Sequence, residues 1–329
     1  MATADLRTTH WRGLLSSVTV VAALLGLSFS SVPALASSVA GPAPAAATAI
    51  CTSSAHPYVA AVLSRDILAA LRGRTDTVAV SVDEPGARFQ CSLNGSLPFD
   101  SASVVKVIIL GTLLRLALDQ HRHLTTTEAA EARAMITRSD NSAASALWAE
   151  LGHAYLQHFL NLARMAQTSL GPDGLWGLTQ ITAHDQMLLL RLLLSGNTVL
   201  DGPSRAYALG LMAQVIPSQR WGTPAGAPAS VTVHVKNGWL PRATHGWRIH
   251  SIGGFTWPKG WYSIVILTQD NPTMAYGIAT IEGIARVIHR HLGPASRSVI
   301  PLSTVSSSAK FSGQSQPGPR RPADLVTPN

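Results

Sequence analysis

Charge and cysteine are both scarce in this sequence. Only 13% of its 329 residues are Asp, Glu, Lys or Arg, while 46% are hydrophobic. That length and apolar content suffice for one large domain or two small ones. There is no internal repeat and no dense Lys/Arg stripe interleaved with aromatics, so nucleic acid is not an expected partner. The formal net charge is +8. Arg7 and Arg12 against Asp5 in residues 1–36, and Arg297, Lys310, Arg320 and Arg321 against Asp324 in residues 296–329, leave +4 of it between. Such mild basicity suits an anionic surface such as a cell wall. It equally describes a solvated basic surface with no partner. The two cysteines, Cys51 and Cys91, have no catalytic neighbourhood. The twelve histidines give no metal signal. His121-Arg122-His123 and His289-Arg290-His291 have i, i+2 spacing, which points the rings apart on a helix.

Long apolar runs are missing too. Residues 13–29 are the most apolar stretch near the start, but Ser16, Ser17, Thr19 and Ser28 interrupt it. With Arg7 and Arg12 before it and Ala34-Leu35-Ala36 after it, residues 1–36 read as a secretory signal rather than an anchor. No twin arginine is present, and Ile50 is too large for the residue before a lipidated cysteine. The expectation is a secreted protein acting on the cell-wall side, with no stable membrane span. Residues 37–50 are Ala/Pro-rich and read as a linker. Residues 296–329, rich in Ser and Pro, read as a disordered tail. In an oxidising compartment Cys51 and Cys91 would pair. The alternative is two buried free thiols.

Periodicity places a helix at 58–71, then strands at 77–83 and 88–93 around a Glu84-Pro85-Gly86 turn. Helices follow at 104–118, 127–137, 142–151 and 155–165. Residues 168–180 form a loop. Thr182 with Asp185 resembles a capping box for a helix to Leu194, and another helix runs over 203–215. Strands at 231–236, 248–256 and 261–269 and a helix at 276–291 close the chain. The strand at 77–83 alternates as a half-buried one. The order of elements predicts an α+β fold: an antiparallel sheet with helices on its faces and a helical subdomain inserted after the second strand.

The run from Val104 to Leu118 is apolar on nearly every side, as in a buried helix, and is too short to span a bilayer. Lys106 is the only charge from Ser101 to Leu114. A buried ammonium is costly unless it has partners or loses its proton. Ser103 lies three residues earlier, on the same helical face. A serine at a helix start beside a desolvated lysine is the layout of an activated nucleophile. An N-cap serine with a lysine that snorkels outwards would leave the same trace.

Two further clusters stand out. Ser139-Asp140-Asn141 lies between helical stretches. It reads either as a cap or as a proton-relay hydroxyl with a substrate-binding amide. Lys236-Asn237-Gly238 ends a strand. It reads either as a solvent-facing lysine before an Asn-Gly hairpin turn, or as a fixed cation on a strand edge facing a cleft.

Ser103-Val104-Val105-Lys106, Ser139-Asp140-Asn141 and Lys236-Asn237-Gly238, in this order, resemble the signature elements of class A β-lactamases and penicillin-binding proteins. The resemblance covers residues 52–295, within a domain placed at 51–295. It implies a three-layer fold: an antiparallel five-stranded sheet flanked by terminal helices, with an inserted all-helical subdomain. It also implies that Ser103 is the acyl-accepting nucleophile and Lys106 its base or proton relay. Ser139 would pass a proton to the leaving nitrogen. Asn141 would hold the substrate amide, and Lys236 with Asn237 its carboxylate. Gly238 would allow close approach, and the backbone amides of Ser103 and Trp239 would form the oxyanion hole. Arg248 is a further candidate for the carboxylate. The expected partner is a small-molecule or peptidoglycan-type substrate, met by a monomer with no cofactor and no metal.

Two departures from that family's pattern matter. Asn237 stands where the family most often has a hydroxyl residue. The Glu-x-x-Leu-Asn that supplies the deacylation base in class A β-lactamases is absent. The acids between Asn141 and Lys236 are Glu150, Asp173, Asp185 and Asp201, and only Asp173 is in the right loop. Ser103 to Ser139 is also a short spacing, so the helical subdomain is trimmed. The expectation is an exported serine hydrolase: a β-lactamase, a D-Ala-D-Ala-type peptidase, or an esterase or amidase. The alternative is a non-hydrolytic cell-wall or β-lactam-binding protein with slow or no turnover.

Overall fold

A computed structural model describes residues 49–172 and 174–294. The expected signal, most of the linker, Asp173 and the tail lie outside these residues. In chain order the elements are β1 (Cys51–Ser53), α1 (Pro57–Ala70), β2 (Thr77–Glu84), β3 (Phe89–Leu93), β4 (Phe99–Asp100), α2 (Lys106–Asp119), α3 (Thr126–Thr137) and α4 (Asn141–Leu162). Then come β5 (Gln180–Ile181), α5 (Ala183–Leu194), α6 (Gly202–Ala213), β6 (Thr232–Pro241), β7 (Trp247–Trp257), β8 (Gly260–Asn271) and α7 (Met274–His291). The expected helices at 142–151 and 155–165 are both present: α4 is two helices meeting at a kink at Gly152, whose φ of 68° and ψ of 158° leave the helical region.

Among the described residues the main sheet has six strands, in the order β1-β3-β2-β8-β7-β6, all antiparallel. The sequence predicts five. The sixth is β1, three residues directly after the expected linker and too short to carry a period. Ladder bonding begins even earlier, where the Ser92 amide donates to the Ile50 carbonyl at 2.7 Å. A second departure is β6. The Asn-Gly turn signal at 237–238 is overridden, and the strand runs on to Pro241, paired with β7 throughout. The chain turns at residues 242–246 instead, where Arg242 N–H donates to the Gly246 carbonyl and His245 and Gly246 both have positive φ.

Both faces of the sheet are covered, and the pleat sorts one strand into two cores. Tyr262, Ile264 and Ile266 of β8 join the core under α1 and α7. Val265 and Leu267, the alternate residues, join the core with α5 and the helical subdomain. The expectation of a half-buried strand at 77–83 is corrected for the same reason. Ser81 and Asp83 face α5 and are buried, and Asp83 pairs with Arg191 of that helix at 2.5 Å. The all-round apolar run becomes a short 3-10 turn at Ala102–Val105 leading into α2. Residues Val104 to Leu110 are then buried on every side, Lys106 among them. Among the described residues no helix is long and apolar enough to cross a membrane.

Cys51 and Cys91 are directly paired across β1 and β3 and form a disulfide closing 40 residues. A loop of that length predicts about 4 kcal/mol of stabilisation in the chain-entropy model. The Cys51→Ser/Cys91→Ser protein is therefore expected to melt well below the wild type in a calorimetric scan. An unchanged melting temperature would show that the bridge contributes nothing.

Candidate active site

The start of α2 is fixed from three sides. Ser101 is buried, and its N–H donates to the Thr179 carbonyl at 2.8 Å. Gly238 of β6 lies against the turn so closely that a Cβ there would sit 3.0 Å from both the Ser101 carbonyl oxygen and the Ser103 nitrogen. His250 of β7 holds the Asp100 carbonyl at 2.8 Å. Burial lowers the His250 pKa to about 4, so it is neutral. The Thr268 N–H donates to its Nδ1, so its proton is on Nε2 and donates to Asp100. Between these anchors Ala102 adopts φ 47°. That left-handed backbone is unfavourable for a residue with a Cβ, and it leads directly into Ser103. Ser103 lines a cavity of about 480 Å³.

Lys106 leaves this turn pointing inwards. Its Nζ donates to the Ser139 carbonyl at 2.6 Å, to Asn141 Oδ1 at 2.7 Å and to Ser139 Oγ at 3.2 Å. Ser139 is itself left-handed, with φ 57°, at the junction of α3 and α4. The two sequence readings of Ser139-Asp140-Asn141 are divided among its residues. Asp140 is the N-cap of α4, accepting from the Ala143 N–H at 2.9 Å. Ser139 and Asn141 turn to the lysine. Lys236 reaches the same hydroxyl from β6: its Nζ donates to Ser139 Oγ at 3.0 Å and to the Asn237 carbonyl at 2.8 Å. Lysines from 33 residues before and 97 residues after Ser139 thus meet at its hydroxyl.

Burial lowers the pKa of Lys106 to about 8, partly opposed by Asp140. Lys236 is pushed well below the ordinary lysine range by burial, then by Lys106. Two ammonium groups sharing one acceptor out of water cannot both keep their full proton affinity. The indole of Trp176 covers Lys106, its ring centre 4.8 Å from Nζ, while its Nε1 donates to Ser145 Oγ at 3.1 Å.

Other candidates are placed differently from their expectation. Both N–H bonds of the Asn237 amide are used on backbone carbonyls, of Gln219 at 2.9 Å and Trp221 at 2.8 Å. This fastens the strand to the segment before it and leaves no donor for a substrate carboxylate. Arg248 is buried against Asp100 at 3.0 Å and also donates to the Thr244 carbonyl. It is not free to meet a substrate; Arg242, at the end of the same hairpin, also pairs with Asp100, at 3.6 Å, but lines the cavity. Trp239 also lines it and packs edge-on against Trp221.

The acids are elsewhere. Glu150 lies beside Glu128, and burial and that neighbour raise its pKa. Asp201 caps α6. Asp185 is buried, accepting from the Gln167 N–H and the Thr168 hydroxyl, both at 2.8 Å. The capping box is therefore half made: Thr182 receives the Asp185 N–H, but the carboxylate does not return. Asp173 lies outside the described residues. In the histidine tripeptide of α7, His289 turns inwards to Tyr262 and Thr223, and His291 to Asp66.

Sequence reasoning missed Leu175, Trp176, Leu178, Ser145, Leu240 and Arg242, all on the cavity wall. An aromatic in the Gly174-Leu175-Trp176-Gly177 stretch was the one available signal. A loop has no period, so nothing there says which way the ring points.

A model of the beta-lactamase enzyme family matches residues 120–292, just over half of the chain. The match includes Ser139, Asn141 and Lys236 and begins after Ser103 and Lys106. No curated protein matches the chain. Among solved structures, an ancestral (GNCA) class A beta-lactamase is similar at 21% identity, over 70% of this chain and 100% of its own, with a TM-score of 0.60. A beta-lactamase from Sphaerobacter thermophilus is similar at 19% identity, over 70% of this chain and 98% of its own, with a TM-score of 0.59. One from Xanthomonas campestris pv. campestris gives 17%, 71%, 99% and 0.61 for the same quantities. At these identities the likeness is one of fold.

Proposed function

The chain belongs to the beta-lactamase enzyme family, and from that premise we propose that it is an exported serine hydrolase. It would attack an amide, β-lactam or ester through an acyl-Ser103 intermediate. The observation that carries this reading is the hydroxyl of Ser139. Its oxygen can accept two hydrogen bonds and has one proton to give. Lys106 and Lys236 occupy the accepting side, at 3.2 and 3.0 Å. The proton is left for a further acceptor, which in the proposed reaction is the departing nitrogen of the substrate.

In the proposed reaction Lys106 acts in its neutral form, in which one of its three donations gives way to a lone pair, and it takes the Ser103 hydroxyl proton as Oγ bonds to the substrate carbonyl carbon. The oxyanion forms against the backbone amides of Ser103 and Trp239, a feature typically worth ~3 kcal/mol per donor. The carbon–nitrogen bond then breaks. Ser139 gives its proton to the departing nitrogen and is resupplied by protonated Lys106. The acyl group remains as an ester on Ser103. Asn141, its carbonyl held by Lys106, offers its amide to the substrate. Lys236 receives a substrate carboxylate, whose charge would restore the protonated form that burial disfavours. Arg242 adds to the positive field. Asn237 and Gly238 serve this site by seating β6 against Ser103. The substrate is of small-molecule or peptidoglycan type, and the acting unit is a monomer.

A second reading is a cell-wall or β-lactam-binding protein that acylates with slow or no turnover. What favours it is that the loop before β5 covers Lys106 with an indole. Incubation with a fluorescent penicillin and, separately, a chromogenic cephalosporin tests both. Labelling with turnover indicates a hydrolase, and labelling without turnover the binding protein. Absence of labelling by every penicillin tried would count against acyl-Ser103 itself.

A further inference from the structure

The cleft at Ser103 lies against β6, one edge of the sheet. The opposite edge carries a groove of another kind. α5 packs on β2, β8 and β7. Beyond β2 the same face of the sheet is exposed, and the register fixes what it presents. Ser92 stands opposite Ser81, Gln90 opposite Asp83, and Thr52 opposite Gln90. Directly opposed residues of an antiparallel ladder share a face. Thr52, Gln90 and Ser92 therefore lie on the α5 side, and all three are exposed. The alternate residues Cys51 and Cys91 enter the core under α1 and α7, and their disulfide staples this polar shelf from beneath.

Two cavities, of about 390 and 580 Å³, lie along the shelf and meet at Gln90 and Arg191. The second ends at Arg88 and Trp261. Trp261 alternates with Tyr262 on β8, so its half-buried indole is on the α5 side as well. Arg191 gives its Nε to Asp83 Oδ2 at 2.5 Å. Its Nη groups and the Arg88 guanidinium make no hydrogen bond to another described residue. Each part of this lining has a matching ligand group. An indole face, negative at its centre, receives the C–H side of a sugar ring. Hydroxyl and amide side chains exchange hydrogen bonds with sugar hydroxyls. Guanidinium groups with donors to spare take a carboxylate, in bidentate form where the geometry allows.

We propose that this groove binds an acidic oligosaccharide, a chain of sugar rings bearing carboxylates, with one ring on Trp261 and a carboxylate between Arg88 and Arg191. Thr52, Gln90 and Ser92 hydrogen-bond the rings that follow along the shelf. The site needs no chemistry at Ser103 and shares no residue with the cleft there. It would hold the protein on a polysaccharide and leave the reactive cleft free at the other edge of the sheet.

The test is an NMR titration of the intact protein with three tetrasaccharides that carry no peptide. One alternates N-acetylglucosamine and N-acetylmuramic acid, one is tetragalacturonate, and one is neutral chitotetraose. The first two bear carboxylates and distinguish a wall glycan from another uronate polymer as the source. At least one of them is expected to bind ~5-fold or more tightly than chitotetraose and to shift the Trp261 indole N–H. Fivefold is roughly the upper end for one exposed ion pair, and two guanidinium groups are present. Arg88→Gln, at an exposed position, is expected to weaken the acidic probe by about threefold and chitotetraose by less than half that. Trp261→Leu keeps an apolar cover without the flat face, and should weaken every tetrasaccharide by about fivefold. No binding of either acidic probe at 10 mM, equal affinity for chitotetraose, or unchanged binding in both variants would overturn the groove. Penicillin labelling of Ser103 is scored separately: its absence counts against the acyl-Ser103 reading and leaves the groove standing.

Discussion

Replacing Lys106 by methionine is expected to slow acylation of Ser103 by a β-lactam on the order of 10³-fold, and Ser103→Ala to abolish the adduct. A positioned general base contributes roughly 10²–10⁴-fold, and Lys106 is the base candidate on the serine's own helical face. Methionine matches the length of the buried stem and leaves no large cavity. It does leave the Ser139 carbonyl and Asn141 Oδ1 without their donor, so a thermal melt must accompany the kinetics. The pH profile separates a base from a prop. Burial puts the Lys106 pKa at about 8. The neutral amine is the active form, so acylation should climb with pH through about 8 and then level. The groups facing Lys106 are Asp140, Lys236, Ser139, Asn141 and Trp176. Asp140 is the one that raises its pKa. Asp140→Asn keeps an equally good cap for α4 and should move the rising limb to lower pH. Intact mass after β-lactam treatment and stopped-flow acylation rates are the measurements. Equal adducts on wild type and Ser103→Ala, or a flat profile from pH 6 to 9, would refute the assignment.

How much of this was legible beforehand depends on what kind of force fixes each feature. The burial of the helix around Lys106 was readable because every neighbour from Val104 to Leu110 is apolar, but whether the ammonium stayed inside or snorkelled out was left open, since both leave the same sequence trace. Ser139 and Asn141 were readable as a cluster but not as separate from Asp140, because capping chemistry suits all three residues equally. Strand pairing was harder. β1 has three residues and is defined by its ladder to β3. β6 passes through Asn237-Gly238 because pairing with β7 on one side and contact with the Ser101–Val104 turn on the other outweigh a local turn preference. Asn237 illustrates the limit. Its residue type permits donation to a carboxylate, but only the folded chain reveals two carbonyls already in front of that amide. Arg248 is the same case, claimed by Asp100 from across the fold. Position along the chain marked the candidate clusters, while the direction of polar side chains and of loop aromatics such as Trp176 came from tertiary packing.

Once formed, the penicilloyl ester on Ser103 is expected to persist for minutes or longer, with deacylation slower by roughly 10²–10⁴-fold than a carboxylate-assisted site would give. Hydrolysis needs a water on the open face of the ester and a group to take its proton. Lys106 returns its proton to Ser139 during acylation, but it stays bonded to the Ser139 carbonyl and Asn141 and lies under the Trp176 indole. Among the described residues lining the cavity there is no carboxylate. Glu150, Asp185 and Asp201 are each engaged at other places in the fold. Two substitutions divide the remaining causes. Trp176→Ala admits water without adding a base, and it should change the deacylation rate by less than about tenfold if the missing base is what limits. Asp173→Asn asks whether that acid, in the loop carrying Trp176, supplies any assistance. It should leave an already slow rate unchanged. The rate is read by quenching at intervals and following the penicilloyl mass. Turnover of many penicillins per second by the wild type would defeat this expectation. If Asp173→Asn then stopped that turnover, the hydrolytic base would be Asp173, and β-lactam hydrolysis would become the assigned activity.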